Sequence, residues 1–154
     1  MLEQKWQRII SLVSKMLSIS IQADALRRYP NGGIADKKGD LLVWRWEVKP
    51  SPLSMTYTIK LVYRLGRSPK VYVVSPKPLP LAKGEISLPH VYDNAEQQIC
   101  LYYNNEDKKK EWSPNKIIAN TIVPWIAEWL YFYEIWQYTG VWTGGGIHDG
   151  KIEN

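Results

Sequence analysis

Cys100 is the only cysteine among 154 residues, ten positions after His90 and twelve before the tripeptide Trp112-Ser113-Pro114. A single thiol has no internal disulfide partner, and it lacks the second sulfur that a compact thiolate metal site needs. Two roles remain open for it. One is a small buried hydrophobe, the commoner state of a free cysteine. The other is a nucleophile, for which the thiolate must be reachable. The run Gln97-Gln98-Ile99-Cys100-Leu101-Tyr102-Tyr103 lies between the polar stretches 93–96 and 104–111. A thiol near the mouth of such loops is placed for partial exposure.

The surroundings of Cys100 resemble the ubiquitin-conjugating enzyme family. Its members carry a His-Pro-Asn tripeptide, a cysteine ten residues after that His, and a Trp-Ser-Pro segment that opens a helix. Here the corresponding residues read His90-Val91-Tyr92, Ile99-Cys100-Leu101 and Trp112-Ser113-Pro114, and Ser68-Pro69-Lys70-Val71-Tyr72-Val73 is similar to the Pro-Lys-Val strand before the catalytic loop. Element order matches over about residues 1–138, and residue identity over 69–114. The proline-rich stretch 75–88 is longer than in ordinary members and the connection before Pro69 is shorter. Both departures point to the divergent bacterial forms of antiphage operons, in particular the stand-alone type of the cyclic-oligonucleotide systems called CBASS. The segment from Trp142 to His148 is also similar to a tail of such bacterial forms.

The resemblance implies an α+β ubiquitin-conjugating fold: an N-terminal helix, an antiparallel meander of three to four strands, a loop bearing the cysteine, and C-terminal helices. It implies Cys100 as the catalytic residue, with His90, Asn94, Asn104 and Trp112 supporting the site. Val91 and Tyr92 stand where the family has Pro and Asn, and that Asn supports the loop or the oxyanion. Asn94, Asn104 and Asn105 are candidates to replace it, and spacing does not choose among them. His90 is expected to hold the loop rather than act as a base, and Trp112 to pack beneath it. The implied reaction is acyl transfer: the thiolate accepts the C-terminal acyl group of a partner, a cyclic-oligonucleotide synthase or a ubiquitin-like protein, and yields it to an acceptor amine. A thioester already carries its activation, which agrees with the lack of a Walker-type glycine loop. Neither cofactor nor metal is expected.

Composition bounds these readings. The length suits one domain, expected to span 1–154, and a 45% hydrophobic content can supply its core. The net charge of +5 permits anionic partners, but the basic residues are scattered. Their densest run, Lys108-Lys109-Lys110, reads as a solvated loop. The most apolar stretch, 117–136, contains Asn120, Pro124, Glu128 and Glu134, so burial in a soluble domain is expected rather than a membrane span. Lys5, Arg8 and Lys15 break any secretory pattern, and with an unpaired thiol the expected location is cytoplasmic.

Periodicity sets the elements that must position the thiol. Trp6, Ile9, Ile10, Val13 and Leu17 predict a helix over 2–17, resumed toward Leu26. Period-two alternation predicts strands at 41–48, 56–63 and 71–74, with a fourth near Ile34 or 99–103. Four prolines between 76 and 89 keep the next segment out of regular ladders. Ser113 and Pro114 read as N-cap and first residue of a helix, and Pro124 as the break or kink between two helices. Residues 143–154 show no periodicity and read as a flexible or docking tail.

Three other functions compete. A binding module of the same fold, with an inert thiol, would hold a ubiquitin-like protein or the synthase. A His-Cys protease dyad needs only spatial proximity, and His148 is the only other histidine. A nucleic-acid binder needs basic residues and aromatics on one sheet face, and Thr56, Thr58 and Lys60 make a poor platform.

Overall fold

The period-two stretches do become strands. The computed structural model describes residues 1–102, 112–148 and 151–153. Two helices, α1 (Leu2–Lys15) and α2 (Ile19–Arg27), precede the strands β1 (Gly32–Lys38), β2 (Leu41–Val48), β3 (Tyr57–Arg64) and β4 (Lys70–Ser75). The short strands β5 (Val91–Asp93) and β6 (Gln98–Ile99), a 3₁₀ turn at Ile118–Asn120, the helix α3 (Ile122–Thr139) and a hairpin of β7 (Gly146–His148) and β8 (Lys151–Glu153) complete the described elements. The main sheet has six antiparallel strands in the order β1-β2-β3-β4-β6-β5, so the candidate strand at Ile34 is present as β1, while of the candidate at 99–103 only Ile99 is in a strand among the described residues.

Alternation decides which sheet face is covered. Leu42, Trp44, Trp46 and Val48 of β2 and Tyr57, Ile59, Leu61 and Tyr63 of β3 are all buried on one face. Register sets them in rows: Trp44 stands opposite Leu61 and Leu61 opposite Val71, while Trp46, Ile59 and Val73 form the next row. Each fully covered aliphatic or aromatic side chain contributes about 1.5–3 kcal/mol of burial energy. Ile19, Ala23 and Leu26 of α2 and Ile122, Ile126, Trp129, Leu130, Tyr133 and Trp136 of α3 join the same core.

Along α1, Leu2, Trp6, Ile9 and Ile10 are exposed. Two helical expectations, a helix opening at Pro114 and a break at Pro124, need correction. No helix starts at Pro114. Instead Ser113 and Lys116 close a turn, Ser113 Oγ pairs with Asn115 Oδ1, and the Pro114 carbonyl accepts the Leu17 amide at 2.9 Å. The fully buried Gln22 fixes this stretch, donating to the Lys116 carbonyl at 2.8 Å and accepting the Ile118 amide at 2.9 Å. Pro124 falls in the first turn of α3, where a backbone N–H has no helical partner to lose, so one continuous helix runs to Thr139. It stops at Gly140, whose φ of 76° is left-handed and whose amide reaches the Trp136 carbonyl at 2.7 Å. Beyond it, Gly146 pairs with Glu153 and Ile147 with Ile152 in the short hairpin of β7 and β8.

The aromatic core ties stability to phenol protonation. Tyr57 donates to Glu134 at 2.9 Å, Ser54 donates to the other carboxylate oxygen at 2.7 Å, and Tyr133 donates to the Pro80 carbonyl at 2.5 Å. Burial pushes the Tyr57 phenol up, and the Glu134 carboxylate adds to the rise; burial also raises Tyr133 and Tyr63. A phenol raised in the folded state favours folding while protonated, so this contribution is complete below the ordinary value of 10.0 and is lost as pH climbs past it toward the folded value. The melting temperature should hold between about pH 7 and 9 and fall above about pH 10. Tyr57→Phe should flatten that fall, as a calorimetric pH series would show.

Candidate functional site

The thiol stands at the open end of a small hairpin. Val91 pairs with Ile99, which places His90 and Cys100 opposite one another just beyond β5 and β6. The Cys100 amide donates to the His90 carbonyl at 2.9 Å, and the Trp129 indole Nε1 of α3 donates to the same oxygen at 3.0 Å. His90 adopts a left-handed φ of 48°, a strain of about 1–3 kcal/mol for a residue with a side chain. Its imidazole is buried and stacked on Trp142, centroids 4.5 Å apart and planes 24° apart. His90 therefore meets Cys100 through its backbone, while its ring faces the C-terminal segment.

Cys100 is 9% exposed, at the border of the core. Its Sγ lies 3.8 Å from the Tyr102 carbonyl, an oxygen that also accepts the Tyr92 hydroxyl at 3.3 Å. Tyr92 itself is 63% exposed, whereas the thiol, expected from its flanking loops to be partly exposed, is buried. Tyr102 packs against Trp125, centroids 5.6 Å apart. Burial raises the Tyr102 phenol, the nearby Ser68 hydroxyl opposes that rise, and the neighbouring Cys100 adds to it.

Asn94 sits at the opposite, turn end of the hairpin, six residues before Cys100. Its Oδ1 accepts the Leu88 amide at 2.8 Å, so it fastens the loop that leads into His90. Trp112 is buried edge-on against Tyr63 of β3, centroids 5.5 Å apart, as a packing residue would be. Asn104, Asn105 and the lysine run at 108–110 lie outside the described residues. His148 is in β7. Among the described residues no cluster of three His, Cys, Asp or Glu side chains is placed to hold a metal ion.

Sequence reasoning missed the residues that lock the loop. Gln97, buried with a left-handed φ of 55°, accepts the Leu79 amide at 2.7 Å and donates to the Val73 and Pro76 carbonyls at 2.9 and 3.0 Å. A glutamine in a polar turn carries no sequence signal for that role. Gln22 did carry one, because it falls on the i, i+3, i+4, i+7 stripe with Ile19, Ala23 and Leu26. Trp129 reads as one aromatic of a core stripe and Trp142 as part of a tail, although between them they hold His90 from two sides.

A solitary thiol at a hairpin mouth, its backbone amide held by the His90 carbonyl, now stands in an α+β frame. The family model described as E2-CBASS, Type II CBASS E2 protein, matches residues 22–149, most of the chain. The chain belongs to the type II CBASS E2 family. As a CBASS-associated E2-like protein it works with partner proteins of its operon. The matched span takes in α2 from Gln22 onward, the main sheet, Cys100, α3 and Trp142 of this E2 protein, and it leaves out α1. No curated protein matches the chain. No helix among the described residues is long and apolar enough to cross a membrane.

The shared carbonyl gives a direct test of how the thiol is held. Trp129→Phe in this E2 protein keeps a ring in place and removes the indole donor, leaving the His90 carbonyl with the Cys100 amide alone. Urea denaturation should report a loss of about 1 kcal/mol, the usual net worth of one buried hydrogen bond.

Proposed function

We propose that this chain is a single-domain ubiquitin-conjugating-like acyltransferase, acting in antiphage defence, whose Cys100 carries the C-terminal acyl group of a partner protein as a thioester. The observation that carries the reading is the one cysteine of a CBASS E2 chain seated at the mouth of a locked hairpin, its amide fixed by the His90 carbonyl. The thiol loses its proton and the sulfur attacks the carbonyl carbon of an activated donor terminus. The donor's leaving group departs with the electron pair of the broken bond, and a thioester remains. An acceptor amine then attacks that carbonyl, the sulfur leaves as thiolate, and the amine's surplus proton passes to solvent or a nearby base.

The chain's own residues act by position. The His90 carbonyl and Trp129 fix the Cys100 backbone, Asn94 and Gln97 fix the approach loops, and the Tyr92 hydroxyl stands on the carbonyl beside the sulfur. Asn104 is the further candidate for an amide near the tetrahedral intermediate, as the resemblance implies. The donor is the C-terminus of a cyclic-oligonucleotide synthase or a ubiquitin-like protein, and the reaction runs in the cytoplasm.

A second reading has its own support. The burial of Cys100 favours an inert module of the same fold that only holds its partner. Trapping separates the two. Co-expressed with the neighbouring synthase and any activating enzyme, Cys100→Lys should accumulate an isopeptide-linked species of summed mass that survives reductant, whereas wild type should give one that reductant removes. If intact-mass spectrometry finds no covalent species in either protein, the binding module replaces the transferase.

A further inference from the structure

The C-terminal segment is built onto the thiol's support. Trp142 stacks on His90 and also meets Trp129 and Phe132 of α3, with ring centroids 5.6 and 6.1 Å away. Its indole Nε1 donates to the Gly145 carbonyl at 3.0 Å, which folds the segment back on itself. Gly144 is seated on the Phe132 ring so closely that a Cβ there would stand 2.6 Å from a ring carbon. Phe132 and Gly144 thus set the depth at which Trp142 enters, and Trp142 in turn sets His90.

His90 needs such restraint. A left-handed backbone at a residue with a side chain persists only where its surroundings over-determine it. Contacts among the described residues do so here: the Cys100 amide and the Trp129 indole on its carbonyl, and the Trp142 face on its ring. The first two come from the hairpin and from α3. The third comes from beyond Gly140, in a stretch that as sequence reads as a tail. We infer that Trp142 is a positioning residue for Cys100: by stacking on His90 it keeps the His90 carbonyl where it fixes the Cys100 amide, so the C-terminal segment governs how the thiol is presented. This rests on the reading of Cys100 as the acyl carrier, and its consequence is that whatever grips or displaces residues 141–145 changes the reactivity of the sulfur.

The test uses iodoacetamide as the probe on the full chain, because alkylation needs no partner protein and so stands apart from the transfer reaction. Pseudo-first-order alkylation of Cys100 would be followed by intact mass for wild type, Trp142→Ala, Trp142→Phe and Gly144→Ala, with melting temperatures measured alongside. Leu26→Ala, a core cavity on the far helix α2, serves as the control for general loosening. Trp142→Ala should raise the alkylation rate about three- to tenfold, the range that losing one aromatic pair allows. Gly144→Ala should do the same with Trp142 still present, because its new methyl group pushes the segment off Phe132. Trp142→Phe should restore a rate near wild type. Wild-type rates in both Trp142→Ala and Gly144→Ala would overturn the inference, as would an equal acceleration in Leu26→Ala. A rate change without any covalent partner species in the trapping experiment would leave the coupling intact and remove the transferase.

Discussion

The His90 carbonyl accepts two hydrogen bonds, one from the Cys100 amide and one from the Trp129 indole, and the rest of the site depends on that junction. It joins the hairpin that ends in the thiol to the helix that runs through the core. The oxygen is buried, so leaving it without its donors would cost about 1–3 kcal/mol, and the arrangement is correspondingly hard to shift. His90 adopts a left-handed backbone to present that oxygen. The strain is offset by contacts from the hairpin, the helix and the C-terminal segment.

The loops on either side are fixed by amides rather than by regular ladders. Gln97 takes over the bonding of the proline-rich loop, meeting one amide and two carbonyls that no strand serves. Gln22 does the same between Lys116 and Ile118, and this carries the chain from the Trp112 side of the site into α3. Irregular backbone at the edge of a core is stable only when such partners are supplied. Tyr133, through the Pro80 carbonyl, pins the middle of the long loop to the helix. Apolar burial supplies the cohesion of the fold, while these few polar contacts decide where its functional loop lies.

Much of the frame was legible in the sequence because it rests on periodicity. The alternation at 41–48 and 56–63 put Trp44, Trp46, Ile59 and Leu61 on one face, and that is the covered face. The short strands β5 and β6 were harder, since two or three residues carry no period to read. Ser113-Pro114 misled because capping chemistry is local, whereas the Gln22 clamp that overrides it comes from 94 residues earlier. Pro124 misled because a proline breaks a helix only past its first turn. The position of Cys100 in the chain was readable, but the roles of Trp129 and Trp142 were not: an aromatic that hydrogen-bonds a distant carbonyl looks in sequence like any other core aromatic.

The central claim is that the sulfur of Cys100 holds an acyl group, and the bond itself can be interrogated. Wild-type adduct with the neighbouring synthase, quenched in acid, should be exposed to neutral hydroxylamine without any reductant and then analysed by tandem mass spectrometry. Release of the donor as a C-terminal hydroxamate, with a free thiol recovered at Cys100, is the expected result. An adduct that resists hydroxylamine and yields only to reductant would be a disulfide and would contradict the account, as would a linkage mapped to any other residue.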